Sequence, residues 1–73
     1  MTKEKFAICI ENEGYQASLE KHKIYPVVPD PEAEMHGDLR IVDESGEDYL
    51  YPADWFVVVQ VPEKVRASMA KVS

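Results

Sequence analysis

Between Asp38 and Val61 the chain sets out most of a fold in linear order. Asp38-Leu39-Arg40-Ile41-Val42-Asp43 alternates so that Leu39 and Ile41 share one face, Glu44-Ser45-Gly46-Glu47 is a turn, and Tyr49-Leu50-Tyr51 returns antiparallel. Gly46 supplies the left-handed residue that such a hairpin requires. Tyr51-Pro52-Ala53-Asp54-Trp55-Phe56 then reads as a tight helical turn at 52–55 leading into the strand Val57-Val58-Val59. A hairpin, a tight turn and a closing strand are the means by which a small β-barrel seals itself.

Upstream, Phe6-Ala7-Ile8-Cys9-Ile10 is a continuous β-rich run suited to burial on both faces. It ends at Glu11-Asn12-Glu13-Gly14, whose asparagine and glycine tolerate a chain reversal. Residues 15–20 read as a loop arm returning to the barrel, with Ala17 and Leu19 alternating against Ser18 and Glu20 in the period-two pattern of a half-buried extended segment. Ile24-Tyr25-Pro26-Val27-Val28 is a further strand, and Pro26, which cannot donate to a ladder, demands an edge, a bulge or an outward-facing position. In the segment 29–37, Asp30 can cap, Pro31 suits a first helical position and Gly37 suits the exit, so a single helical turn or an irregular loop is expected. After Val61 and Pro62 the period changes. Val65, Met69 and Val72 fall at i, i+4 and i+7, one stripe of a short helix that is marginal unless the stripe packs on something.

Five short strands without an internal repeat imply an all-β, five-stranded, partly open barrel over residues 1–61, followed by a tail over 62–73. At 73 residues the chain is near the lower limit for burying enough apolar surface without disulfides or metal, so one domain is the ceiling. The lone Cys9 forms no internal bridge and no secretory signal opens the chain, which makes the cytoplasm the expected compartment. No apolar run is long enough to cross a bilayer; that from Trp55 to Val59 is only strand-sized. The net charge of −6 is concentrated in residues 26–56, where nine acids face the single base Arg40. Such a surface repels a phosphate backbone, so nucleic acid is not expected as a partner, whereas a basic protein is compatible.

The segment from Ala17 through Val28, with Ser18, Leu19, Glu20, Lys21, His22, Lys23, Ile24, Tyr25, Pro26 and Val27 between, is similar to the diverging turn and second strand of SH3 domains. Tyr51-Pro52-Ala53-Asp54-Trp55-Phe56 resembles their proline-initiated 3₁₀ turn and final strand, in which a proline and an aromatic three residues later face the ligand groove. The likeness covers most of residues 6–59 in the right order. Residues 46–53, Gly-Glu-Asp-Tyr-Leu-Tyr-Pro-Ala, also resemble a segment of a small bacterial SH3-like family without an assigned activity. The resemblance implies an SH3-like barrel in which Pro52 and Trp55 stand at the groove and Glu11 and Glu13 take the acidic loop positions that meet a ligand's basic residue. The chain departs from SH3 domains at Asp38, where they place a tryptophan, and at Cys9 and Glu11, where they place tyrosines. Those rings wall the proline slots, so the resemblance implies the barrel more than it implies PxxP binding.

Catalytic and metal signatures are weak. His22 and His36 each stand alone in a turn, and Asp43, Glu44, Glu47 and Asp48 lack the order of an EF-hand loop and read as a solvated hairpin tip. Cys9 reads as a small buried hydrophobe; Ser18, Ser45 and Ser68 occupy no nucleophile elbow, and Gly14, Gly37 and Gly46 are too dispersed to cradle phosphate. No cofactor, metal or catalytic residue is expected. Among the aromatics, Tyr51 and Phe56 should point inward and Trp55 outward or half covered.

The expected function is that of a non-enzymatic protein-interaction module, through a surface containing Trp55, Pro52, Tyr15, Tyr49, Glu11 and Glu13. Two alternatives stay open. One is an acidic electrostatic mimic or inhibitor of a basic protein; the other is an accessory subunit that orders the stripe of Val65, Met69 and Val72 against another chain.

Overall fold

The computed structural model describes residues 5–70. Along the chain run β1 (Lys5–Cys9), β2 (Ile24–Val28), α1 (Pro31–Met35), β3 (Asp38–Val42), β4 (Asp48–Pro52), a 3₁₀ turn (Ala53–Trp55), β5 (Phe56–Val59) and α2 (Glu63–Ala70). The strands form one antiparallel sheet in the order β4-β3-β2-β1-β5. All-β is therefore the right class. The sheet does not close, however: β4 and β5 are its two edges, and the 3₁₀ turn carries the chain from one edge to the other without pairing them.

Register explains where the core lies. Ala7 stands opposite Tyr25, Cys9 opposite Phe56, Val27 opposite Ile41 and Leu39 opposite Tyr51, and all eight belong to one buried cluster completed by Leu19. Period-two alternation thus delivers one apolar face from every strand, the cross-strand pairing that stabilises sheets. Phe6, next to Ala7 on the other face of β1, is buried as well, so that strand is covered on both sides at this point, while Ile10 lies beyond its end and is exposed.

Three local expectations meet the structure differently. Asp30 caps α1, its Oδ1 accepting from the Ala33 backbone N–H at 3.1 Å, with Pro31 opening the helix and Gly37 leaving it at φ 85°, so the 29–37 segment is a helical turn and not an irregular loop. Pro26 is accommodated in an interior strand because the β2–β3 register covers only Val27↔Ile41 and Val28↔Arg40, which leaves the proline just outside that ladder. The arm at 15–20 is not an extended segment. The Ser18 and Leu19 N–H groups both donate to the Tyr15 carbonyl at 2.9 Å, a helical turn that buries Leu19 and exposes Ala17, overriding the period-two pattern.

α2 opens at Glu63, whose carboxylate is paired to Arg66. Val65 is exposed and Met69 half-buried, so these two positions do not share a buried stripe, and Val72 lies outside the described residues.

Ile41 and Leu19 are both fully buried. Ile41→Ala is expected to cost about 2–5 kcal/mol, a large share of the roughly 5 kcal/mol typical at the low end of domain stability. Urea denaturation of the wild type and the variant checks this; a loss well under 1 kcal/mol would contradict the core assignment.

Candidate functional site

The functional surface is built outward from a carboxylate. Asp43 follows β3 at the hairpin and is buried, which a charged group tolerates only with donors around it. Its Oδ1 accepts from Ser45 Oγ at 2.6 Å and from the Ser45 N–H at 2.9 Å, and its Oδ2 accepts from the Tyr51 hydroxyl at 2.6 Å. Burial is the largest single influence on this group and opposes ionisation, but the hydrogen bonds from Ser45 and Tyr51 together outweigh it and hold the carboxyl below its usual range. Burial and donation to this anion push the Tyr51 hydroxyl up to about 12. The hairpin tip is therefore not wholly solvated: the bond from Ser45 N–H makes Asp43-Glu44-Ser45 an Asx turn tied into the core.

The Tyr51 ring carries the aromatic surface. Tyr15 meets it edge-on with centroids 5.6 Å apart and planes at 89°, Trp55 stacks on it at 6.3 Å, and Phe56 lies at 6.2 Å on the core side. Tyr15 and Trp55 also touch, centroids 5.6 Å apart, so the three rings form a closed triangle. Trp55 is half-buried against the core, while Tyr15 and Tyr49 are exposed. Tyr15, Tyr49 and Tyr51 share the wall of an open cavity of about 390 Å³, with Ser18, Asp43 and Ser45 among its other lining residues.

What holds Tyr15 there is the arm between β1 and β2. The Tyr15 N–H donates to the Asn12 carbonyl at 2.8 Å, Asn12 Nδ2 donates to the Leu19 carbonyl at 2.8 Å, and Leu19 is sunk in the core. The arm is then fastened to the hairpin. The Glu44 N–H donates to the Ser18 carbonyl at 3.0 Å, and Glu44 Oε2 accepts from Lys23 Nζ at 2.7 Å and the Tyr25 hydroxyl at 2.6 Å. The Lys23 ammonium, followed by the Tyr25 hydroxyl, holds the Glu44 carboxyl low; burial, followed by the bond to Glu44, drives the Tyr25 hydroxyl strongly upward.

Of the residues singled out in the sequence, the structure brings Tyr15 and Trp55 against Tyr51 and sets Tyr49 on the wall of the same cavity as Tyr15 and Tyr51. Pro52 is exposed at the start of the 3₁₀ turn, and strand alternation turns it away from the face bearing Tyr49 and Tyr51. Glu11 is half-buried, its carboxylate accepting from the Asn12 N–H at 3.1 Å, and Glu13 is exposed on the turn two residues before Tyr15. Sequence reasoning reads Asp43 as part of a solvated hairpin tip, where the structure buries it, and gives Tyr25 no role beyond its strand. The only signal for Asp43 is the Asp-x-Ser turn chemistry, and nothing local marks Tyr25, whose partners lie in two other loops. Cys9 is fully buried, with burial raising its thiol and Sγ bonded to the Glu11 carbonyl at 3.2 Å, so it presents no thiolate nucleophile.

Comparison of the chain with protein-family models, curated proteins and solved structures finds no match. The site is therefore read from its own geometry.

Tyr51→Phe leaves one buried carboxylate oxygen without its donor and is expected to cost about 1–3 kcal/mol. Because the folded Asp43 and Glu44 carboxyls titrate below their ordinary values, their contribution is complete above the unfolded carboxyl range near pH 4 and is lost as pH falls through the folded pKa values. Tyr51→Phe should therefore reduce stability more at pH 7 than at pH 2. For a tyrosine the raised pKa gives the opposite direction: stability from Tyr51 is full below pH 10 and declines as pH approaches 12. Urea denaturation across this range, with absorbance at 295 nm reporting phenolate, checks both limbs.

Proposed function

We propose that this chain is a small, cytoplasmic, non-enzymatic SH3-like module that binds an extended segment of another protein across the Tyr15, Tyr51 and Trp55 surface. The sheet order and the 3₁₀ turn between β4 and β5 support the SH3-like reading. The observation that carries the binding reading is the aromatic triangle itself: Tyr15, half exposed, and Trp55, half-buried, lean on a ring that a buried carboxylate holds in place. Rings fixed in advance contribute contact area at little entropic cost on binding, the pattern of interface anchors. Tyr49 extends the surface along β4 and Glu13 and Glu11 border it on the arm, while Pro52 stands on the other side of the strand, so the segment captured would carry a basic residue beside apolar ones.

The acidic-mimic reading has its own support. Arg40, the single base of residues 26–56, is already engaged by Asp30 at 2.8 Å and by Asp48 at 3.5 Å, so it offers little to offset the exposed Glu32, Glu34 and Glu47.

Selection from a random peptide library, followed by NMR titration of the recovered peptide, separates the two. Trp55→Ala is expected to weaken the peptide by tenfold or more, about 1.4 kcal/mol at the least, while leaving the sheet's amide spectrum in place. Unchanged affinity in a folded Trp55→Ala variant would overturn the aromatic reading. Binding that vanishes between low salt and about 0.5 M salt regardless of Trp55 would instead favour the mimic, because exposed charges are screened within a few ångströms there.

A further inference from the structure

We infer that the open cavity between Tyr15 and Tyr49 receives the guanidinium of an arginine carried by the partner segment. That partner is the one proposed above, on which this placement rests.

The cavity has room for one long side chain. At about 390 Å³ it stands near the low end of the roughly 300–1,000 Å³ of ligand pockets. It lies between the arm, the hairpin and β4, and neither Trp55 nor Glu11 nor Glu13, the acids that an SH3 groove would use, lines any part of it. Tyr15 and Tyr51 set two of its walls at right angles, their planes at 89°, and Tyr49 adds a third ring. Tyr15 and Tyr49 are 51% and 49% exposed, so about half of each stays open to an incoming group, whereas Tyr51 is sunk in the core.

The hydroxyls of this cavity turn their protons inward. Tyr51 and Ser45 each donate to Asp43 at 2.6 Å, and Tyr49 donates to Glu47 at 3.1 Å. A hydroxyl has one proton and two lone pairs, so these three offer an entering group lone pairs only. A ligand that donates hydrogen bonds meets acceptors, set beside ring faces that are themselves electron-rich. One that accepts them finds no proton on those three oxygens.

Charge selects the same kind of occupant. Among the described residues no cation is paired with Asp43 or Glu47, whose carboxylates are bonded by hydroxyl and backbone groups, and no lysine or arginine lines the cavity. Lys23 is held by Glu44 at 2.7 Å, and Arg40 by Asp30 and Asp48 at 2.8 and 3.5 Å. Two negative charges at this wall are thus left without a counter-charge, within a segment that has nine acids to one base. Of the two basic side chains a partner can bring, arginine fits better. Its guanidinium is planar, lies flat on an aromatic ring, sheds water more readily than an ammonium and directs five N–H groups at several acceptors together.

NMR titration of the full chain with N-acetyl-arginine methylamide, one residue with both ends blocked, tests the pocket apart from any peptide. Binding in the millimolar range is expected of so small a ligand, with the largest shifts at Tyr15, Ser45 and Tyr49. The citrulline analogue, nearly equal in shape but uncharged, should bind about fivefold or more weakly, and the lysine analogue should also fall below arginine. Tyr49→Ala should weaken the arginine probe by a similar factor, while Tyr49→Phe, which keeps the ring, stays within about twofold of the wild type. The assignment is overturned by the absence of shifts up to about 20 mM probe, by shifts that map away from Tyr15 and Tyr49, or by either analogue binding as tightly as arginine. Should Tyr49→Ala fail to fold, the ratio of arginine to citrulline binding on the wild type decides. Selected peptides that bind through Trp55 yet carry no arginine would overturn the pocket and leave the proposed function standing; a library that yields no peptide, with the probe still bound, counts against that function and not against the pocket.

Discussion

The Asp43 carboxylate, held out of water by Tyr51 and Ser45, is the constraint from which the functional face follows. A buried charge with too few donors would be costly, so the Tyr51 hydroxyl is committed to it and the ring that bears the hydroxyl is fixed in angle and depth. That ring touches Tyr15, Trp55 and Phe56, and so transmits the hairpin's geometry to the exposed aromatic surface on one side and to the core on the other. One polar contact thereby aligns the hairpin and the 3₁₀ turn that follows it with an arm some thirty residues upstream.

The second fastening, at Glu44, does for the arm what Asp43 does for the rings. A long connection between β1 and β2 has little reason of its own to lie against the hairpin. It does so because Leu19 is sunk in the core and Glu44 draws together Lys23, Tyr25 and the Ser18 carbonyl. The polar bonds are worth little singly where they reach solvent, but they act on a segment already anchored by an apolar side chain. The acidic middle of the chain is thus partly structural, with Asp30, Asp43, Glu44 and Asp48 all holding partners.

What was legible in the sequence was what depends on period and turn chemistry. The alternation of Leu39 and Ile41, the glycine at 46 in left-handed φ, the cap at Asp30 and the tight turn after Pro52 are local rules, and the structure follows them. The arm at 15–20 departs from its alternation because six residues of period two carry less weight than two hydrogen bonds converging on the Tyr15 carbonyl. Closure of the sheet and the burial of Asp43 escape local rules for different reasons: the first turns on whether the edges β4 and β5 pair, and the second on the Tyr51 hydroxyl eight residues on, which only the packed hairpin brings to the carboxylate. The aromatic site was half legible. Trp55 and Tyr15 could be singled out as amphipathic rings, but their meeting on Tyr51 comes from tertiary packing alone.

The short ladder beside Pro26 gives the molecule a seam. β2 is held along four registered pairs to β1 but along only two to β3, so the sheet divides into a β2-β1-β5 half and a β4-β3 half joined most thinly beside the proline. Tyr15 stands on the arm between β1 and β2, outside both halves, and Tyr49 on β4. The arm closes that seam from the side, because Tyr15 packs on Tyr51 of β4 and the Ser18 carbonyl accepts from the Glu44 N–H, so the joint weakest in strand pairing is the one that side chains reinforce.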